Sequence, residues 1–376
     1  ISKSSEPIAM TKSKEWTAAR VNLDVELDRE NPSVVLAALE EAIQKLVSHR
    51  CKEAQSTPSR APILKIKCFE EAERRVKREK KEKEKNNILN KNILPKVKDC
   101  SDNFGYTHPS ITGKSIPITG VVGDQQAATI GQCCFEPGSL KSTYGTGAFV
   151  LLNTGNKIIY SKNRLLTTIG YRLNGKTTYA LEGSIFIAGA GVQWLRDRMQ
   201  FFKKAPETEK IVKSLKDNGD IYLVPAFTGL GAPYWDANAR GVLCGLTRDT
   251  NPKQIVRAII ESVAYQTYDL FEAMKHDGLR PKIVKVDGGM VMNNWFSQFL
   301  SDIIHTKVLR PKVQETTALG AAFMAGLKIG VYKSLKDISK NWKLDKKFFP
   351  KLNPQIRKKL LKDWKIAINR TLSKQS

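Results

Sequence analysis

IPITGVVGDQQAATIGQCCFEPGSLKSTYGTGAFVL, Ile116–Leu151, is the stretch on which the rest of the chain is organised. Ile116 to Val122 is an apolar run that contains Pro117 and is broken by Gly120, which predicts a strand ending near Gly123. Asp124 then stands where a helix begins, ahead of the helix-favouring Gln125, Gln126, Ala127 and Ala128. A carboxylate at that point meets unpaired backbone N–H groups and the positive end of the helix dipole. Taken alone, such an aspartate is more often a helix cap than a reacting group. Ser142-Thr143-Tyr144-Gly145-Thr146-Gly147, between apolar residues, reads as a tight strand–turn–strand. Its glycines let backbone amides approach an anion, and Thr146 adds a hydroxyl at the same place. Gly-Thr turns are common in sheets and weak evidence singly. Together the two halves suggest a phosphate cradle facing a proton acceptor.

A chain of 376 residues with 41% hydrophobic content can bury one large core or two. A net charge of +25 raises nucleic acid or an anionic membrane as partners. The distribution argues against both. Basic residues gather before Lys98 and after Lys333, lysine dominates, and no aromatics interleave the basic run. Nucleic acid is therefore disfavoured as the main ligand. The six cysteines, at 51, 68, 100, 133, 134 and 244, form no CxxC pair. That favours reduced thiols in a cytoplasmic protein and no metal site. No apolar run is long enough to span a bilayer, and the start lacks a signal-peptide core.

Residues 1 to about 30 are polar and charged without periodicity. Asn31-Pro32-Ser33 reads as a helix start, with Val34, Leu36, Leu39, Ile43, Leu46 and Val47 as its apolar stripe. Ser56–Pro62 is a breaker-rich linker, and Arg74–Lys85 reads as a solvated tether because it carries no packing face. Residues 1–91 thus read as a weakly structured, charged helical segment of unassigned role. Residues 92–376 have ordinary globular composition and end in a basic helical tail.

After the Gly-Thr hairpin, Leu165–Tyr171 and Thr177–Leu181 are β-rich, with Asn174-Gly175 as the turn between them. IFIAGAGVQWLRDRMQFF places Ile187, Val192, Leu195 and Met199 on one helical side, behind a glycine cluster that either packs closely or admits a ligand. Ile221–Val224 is a strand, Asn251-Pro252 opens a long helix, and Lys282–Val286 is a strand stopped by Asp287-Gly288-Gly289. Asn293-Asn294 begins another helix, Val308–Arg310 is a short edge strand, and Glu315–Tyr332 is a small-residue helix. Leu344 onward reads as basic and helical, anchored by Trp364 and Leu372. Strands alternating with helices, with glycine turns at strand ends, predict an α/β fold with a ligand at those ends.

GDQQAA, KSTYGTGAF, LEGSIFIAGAGVQWLRD, VPAFTGLGAPYWD, RGVLCGLTRDTNPKQIVRAIIESVAYQT, VDGGMVMNN and ETTALGAAFMAGL, in that order, resemble the C-terminal half of glycerol kinases, within the FGGY carbohydrate kinases. The resemblance runs from about Asn92 to Thr371 and implies an actin-like ATPase (ribonuclease H-like) domain. It implies ATP and Mg²⁺ as cofactors, glycerol and ATP/ADP as partners, and leaves a homo-oligomer open. It implies that Asp124 is the general base on the glycerol hydroxyl, that Gln125 binds the polyol and that Phe149 packs on its carbons. Thr146, Gly189 and Gln193 would lie along the phosphates and ribose, and Gly289 and Asn293 on the adenosine side. The chemistry would be in-line phosphoryl transfer, in which positioning and charge neutralisation supply most of the acceleration.

The resemblance is incomplete. A glycerol kinase also carries an N-terminal domain with a first phosphate hairpin and an Arg-Glu pair, and nothing in residues 1–91 resembles it. Weak activity of the chain alone is the expectation, since half a cleft cannot exclude water. Ser115 stands where bacterial relatives carry a basic residue of an allosteric loop. Two other readings compete: a kinase of another polyol or sugar, such as a pentulose or gluconate, and a non-catalytic nucleotide-binding or interaction fragment. Salt-dependent binding of DNA or RNA by residues 1–91 would be needed to revive a nucleic-acid role.

Overall fold

Asp124 does start a helix, and the hairpin after it lies at the centre of a mixed sheet. The computed structural model describes residues 96–373. The expected helix after Ser33, the linker, the Arg74–Lys85 tether and the boundary near Asn92 all lie outside these residues. In chain order the elements are α1 (Pro109–Thr112), α2 (Asp124–Gly131), β1 (Leu140–Tyr144), β2 (Ala148–Gly155), β3 (Leu166–Leu173), β4 (Lys176–Ile185), α3 (Gly189–Asp197), α4 (Glu207–Lys213), β5 (Tyr222–Val224) and β6 (Val242–Cys244). They continue with α5 (Pro252–His276), β7 (Ile283–Asp287), a 3₁₀ turn (Gly289–Met292), α6 (Asn294–Ile304), β8 (Lys307–Pro311), α7 (Thr316–Lys328), α8 (Leu335–Ser339), β9 (Leu344–Phe348) and α9 (Pro354–Thr371).

Seven strands form one sheet in the order β3-β4-β2-β1-β7-β8-β9, while β5 and β6 pair separately. β1 runs antiparallel to β2 but parallel to β7, with Thr143 opposite Phe149 on one side and Asp287 on the other. The carboxyl ends of β1 and β7 therefore lie side by side, the usual place for a ligand in an open α/β sheet. The β3–β4 turn is as expected: Asn174 and Gly175 take φ of 49° and 73°, suiting a two-residue hairpin. α5 is opened by a capping box from Asn251 and Gln254, with Pro252 in the first turn. Its buried face supplies Ile259, Val263 and Leu270 to the core. There Tyr265 stacks on Trp364 of α9 at 5.2 Å and meets Phe299 of α6 edge-on at 5.6 Å. Trp364 is thus the anchor the sequence predicted, and Leu372 packs against the same core.

Four expectations are corrected. Ile116–Val122 is no sheet strand. It runs extended against residues 100–107 through single bridges, Tyr106 to Pro117 and Ser101 to Gly120, because Pro117 has no N–H for a continuous ladder. Val308–Arg310 is not at the edge, since β9 pairs outside β8. The tail is accordingly not helical from Leu344; Pro350 follows β9, and the helix opens only at Pro354 behind the Asn353 cap. Met199 is exposed because α3 stops at Asp197, whereas Ile187, Val192 and Leu195 are buried as predicted. No described helix is long and apolar enough to cross a membrane.

Candidate active site

α2 is held from behind. At Gly131 and Gly320 the backbones of α2 and α7 touch: a Cβ on Gly320 would lie 1.8 Å from the Ala127 carbonyl oxygen. The Lys285 ammonium donates to the carbonyls of Gln132 (2.7 Å) and Cys133 (3.4 Å), capping the helix's negative end. Gln132 ties the same end to the sheet, donating through Nε2 to Asp287 Oδ2 (2.6 Å) and accepting from Trp342 Nε1 (2.9 Å). Thr316, at the start of α7, donates to the same Asp287 oxygen at 2.7 Å. These contacts fix the opposite, amino end of α2, where Gly123 is the cap and Asp124 is exposed in the first turn. One Asp124 oxygen accepts the Gln125 N–H at 2.7 Å.

The hairpin is locked to two further elements. Carbonyls in the β1–β2 turn accept from the start of α3: Gly145 from Gly189 N–H (2.9 Å), and Thr146 from the N–H groups of Ala188 (2.9 Å) and Ala190 (3.0 Å). Gly288, at φ 91°, lies so close that a Cβ there would sit 2.5 Å from the Tyr144 carbonyl oxygen. Only glycine fits that position. The 144–147 turn, the first turn of α3 and the Gly288-Gly289 turn therefore form one backbone-lined surface. Thr146 and Gly289 are exposed on it, and Gln193 is exposed one helical turn beyond Gly189. The Gly189 N–H is already used by Gly145, so a ligand would meet its Cα face. Asn293 caps α6 by accepting from Phe296 N–H at 3.0 Å, and its Nδ2 donates to Thr208 at 3.4 Å.

The two halves are joined by a residue the sequence reading passed over. Lys141 on β1 is fully buried, and its ammonium donates to Gln125 Oε1, to Thr143 Oγ1 (3.2 Å) and to the Phe149 carbonyl (3.4 Å). Burial pushes its pKa below the ordinary lysine value, while the charges of Asp287, Glu182 and Asp124 oppose that shift. The signal was present in the sequence as a lysine inside the strand LKSTY, but nothing there says which face is inward. Gln125 and Phe149 thus meet at Lys141 Nζ, with Asp124 next to Gln125 in the chain, while Thr146 lies in the turn that binds the start of α3.

The C-terminal-domain profile of the FGGY family of carbohydrate kinases matches residues 140–329. The chain belongs to that family. The match spans the hairpin, the α3 start and the Gly288-Gly289 turn described above. A glycerol kinase of Pseudomonas aeruginosa is 55% identical over 283 residues, covering 75% of this chain and 57% of that protein. Another, from Sinorhizobium fredii, is 56% identical over 283 residues, covering 74% and 57%. This FGGY chain therefore spans a little over half the length of the curated relatives it matches. Among solved structures, Plasmodium falciparum glycerol kinase with ADP aligns with a TM-score of 0.71 at 40% identity, covering 78% of this chain and 59% of that one. A ligand-bound xylulose kinase from Lactobacillus acidophilus aligns at 0.63 with 22% identity, a likeness of fold. The fold is the actin-like ATPase fold shared by these FGGY kinases.

Proposed function

We propose that the kinase domain of this chain, from about Asn92 onward, serves ATP-dependent phosphorylation of glycerol to glycerol 3-phosphate. The observation that carries this reading is the joining, through Lys141, of the helix start at Asp124 to the strands flanking the Gly145–Gly147 turn. The 55% identity to a glycerol kinase over 283 residues favours glycerol among the polyols. Asp124 takes the proton of the attacking hydroxyl, for which its exposure at the start of α2 gives hydrogen-bond reach. Gln125 and Phe149 hold the polyol, one by hydrogen bonding and the other by apolar contact. The cradle of Thr146, Gly189 and Gln193 receives the phosphates, with Gly289 and Asn293 towards the nucleoside.

The glycine surface suits a nucleotide, since it is open at Gly289, where a Cβ would meet no protein atom within 4 Å, and at Gly145, where it would meet only the Gly147 carbonyl oxygen at 3.9 Å. A single exposed carboxylate suits Mg²⁺, which binds chiefly through phosphates and water with one or two protein carboxylates. Such an ion, when bound, neutralises charge on the transferring phosphoryl group. The test is a coupled assay for glycerol 3-phosphate with the full chain, beside glycerol-free and Asp124→Asn controls. Product that depends on glycerol and is lost with Asp124→Asn supports the reading. Equal turnover with xylulose or gluconate would move the assignment to another acceptor.

A second reading, a nucleotide-binding fragment without catalysis, is favoured by the 57% coverage of the relatives. Tight nucleotide binding with no product, even when a relative's N-terminal half is added, would select it.

A further inference from the structure

Lysine is seldom buried completely, because its ammonium gives up hydration that protein contacts must replace. Lys141 is at 0% exposure, among the largest fully buried side chains in the described residues. Its Nζ meets Gln125 Oε1, Thr143 Oγ1 and the Phe149 carbonyl, which use the three N–H donors of an ammonium. Two of these three partners belong to the residues proposed above to hold the polyol.

The pairing with Gln125 has a directional consequence. A carboxamide has one accepting end and one end with two donors, whereas an ammonium only donates. Lys141 therefore selects one of the two amide orientations: Oε1 turned inward onto Nζ, and Nε2 turned away from it. Asp124, the adjacent residue, offers a carboxylate that only accepts when ionised. We infer that Lys141 is the positioning residue of the acceptor subsite, holding Gln125 so that it shows donors only, beside the acceptor Asp124.

That pair matches an aliphatic hydroxyl, which can donate to the carboxylate and accept from the amide at once. It disfavours a carboxylate-bearing acceptor, whose charge would face Asp124. The inference rests on the assignment of Asp124 and Gln125 to the polyol. Its first readout is independent of that assignment.

In the full chain, the ¹⁵N–¹H side-chain signal of Gln125, assigned by its loss in Gln125→Glu, should show slowed exchange and a fixed pair of shifts. Lys141→Met, close in length and uncharged, should return it to the shifts of a free glutamine. The same variant should keep its melting temperature or gain, since replacing a buried charge by a packed apolar side chain is often neutral or stabilising. Glycerol affinity by titration calorimetry should fall about tenfold or more, with ADP affinity within twofold. Lys141→Arg, which retains donors, should recover part of the glycerol affinity. Gln125→Glu should fold and also lose glycerol, because it shows an acceptor in place of donors.

Loss of glycerol, ADP and melting temperature together in Lys141→Met would reduce the residue to a structural one and overturn the inference. An unchanged Gln125 signal in Lys141→Met, or unchanged glycerol affinity in Gln125→Glu, would overturn it too. A wild-type chain that binds ADP but no glycerol would count against the polyol assignment, and with it the role of Lys141 there. The amide signal would still decide whether Lys141 sets the donor direction.

Discussion

Asp124 stands exposed at the amino end of α2, so its charge can be removed without opening the core. Asp124→Asn should lower kcat/KM for glycerol phosphorylation by about 10²–10⁴, the range for loss of a general base. ADP affinity should change little, and calorimetry beside the coupled assay separates the two. Asp269 on α5 is a different kind of acid. Its carboxyl accepts Trp364 Nε1 at 2.9 Å and lies beside Tyr234, Lys365 and Glu272; burial pushes its pKa up to about 7, against the favourable bonds from Trp364 and Tyr234. With the folded pKa above the unfolded one, the folded state binds more protons between about pH 4 and 7. Stability from this group is thus fullest below that window, falls as pH rises through it and is flat above. The effect is a few kcal/mol at most, from ~1.4 kcal/mol per unit, and smaller in practice because the residue as a whole keeps some surface. Asp269→Asn should flatten the melting temperature against pH over that window relative to wild type. An unchanged profile would contradict the assignment.

Among the elements, the contact of α2 with α7 sets the site most directly. Gly320→Ala would drive a methyl into the Ala127 carbonyl, so the helices must separate. A loss of about 1–3 kcal/mol or more is expected by denaturant melting, with a fall in activity because α2 carries Asp124. Much of this level was legible beforehand. The capping residues of α5 and α6, the Asn174-Gly175 turn and the Gly-Thr hairpin are local signals, and local signals survive without knowledge of the fold. What was missed depended on neighbours distant in sequence. LDKKF has two lysines and one clear inward residue, Phe348, so nothing local marks β9 as a partner for β8. Ile116–Val122 looks like a strand by composition, but Pro117 and the close approach of Gly120 to α7 keep it off the sheet. At the proposed site, Asp124 and Thr146 were marked by their local sequence, and Gln125 and Phe149 only through the family resemblance. Lys141 was not, because its meaning lies in what surrounds Nζ.

For the molecule as a whole, the chain spans 57% of the length of its Pseudomonas aeruginosa relative, and the family match over residues 140–329 includes the glycine-lined surface. Slow glycerol phosphorylation is expected from this chain alone. Adding the N-terminal half of that relative should raise the rate in a saturable way, read by the same coupled assay. Brisk unsupplemented turnover would refute this expectation. Burial raises the thiols of Cys133 and Cys134 to about 11 and 12, so these two should react slowly with alkylating agents near neutral pH. One arrangement reaches further. α2 bears a carboxylate at its leading end and, about 12 Å behind at 1.5 Å per residue, an ammonium from Lys285 that rests on Trp342. The eight-residue helix is thereby trimmed at stern as well as bow. Its alignment, and so the aim of the proposed base, can be altered by changes at Lys285 or Trp342, outside the proposed substrate contacts.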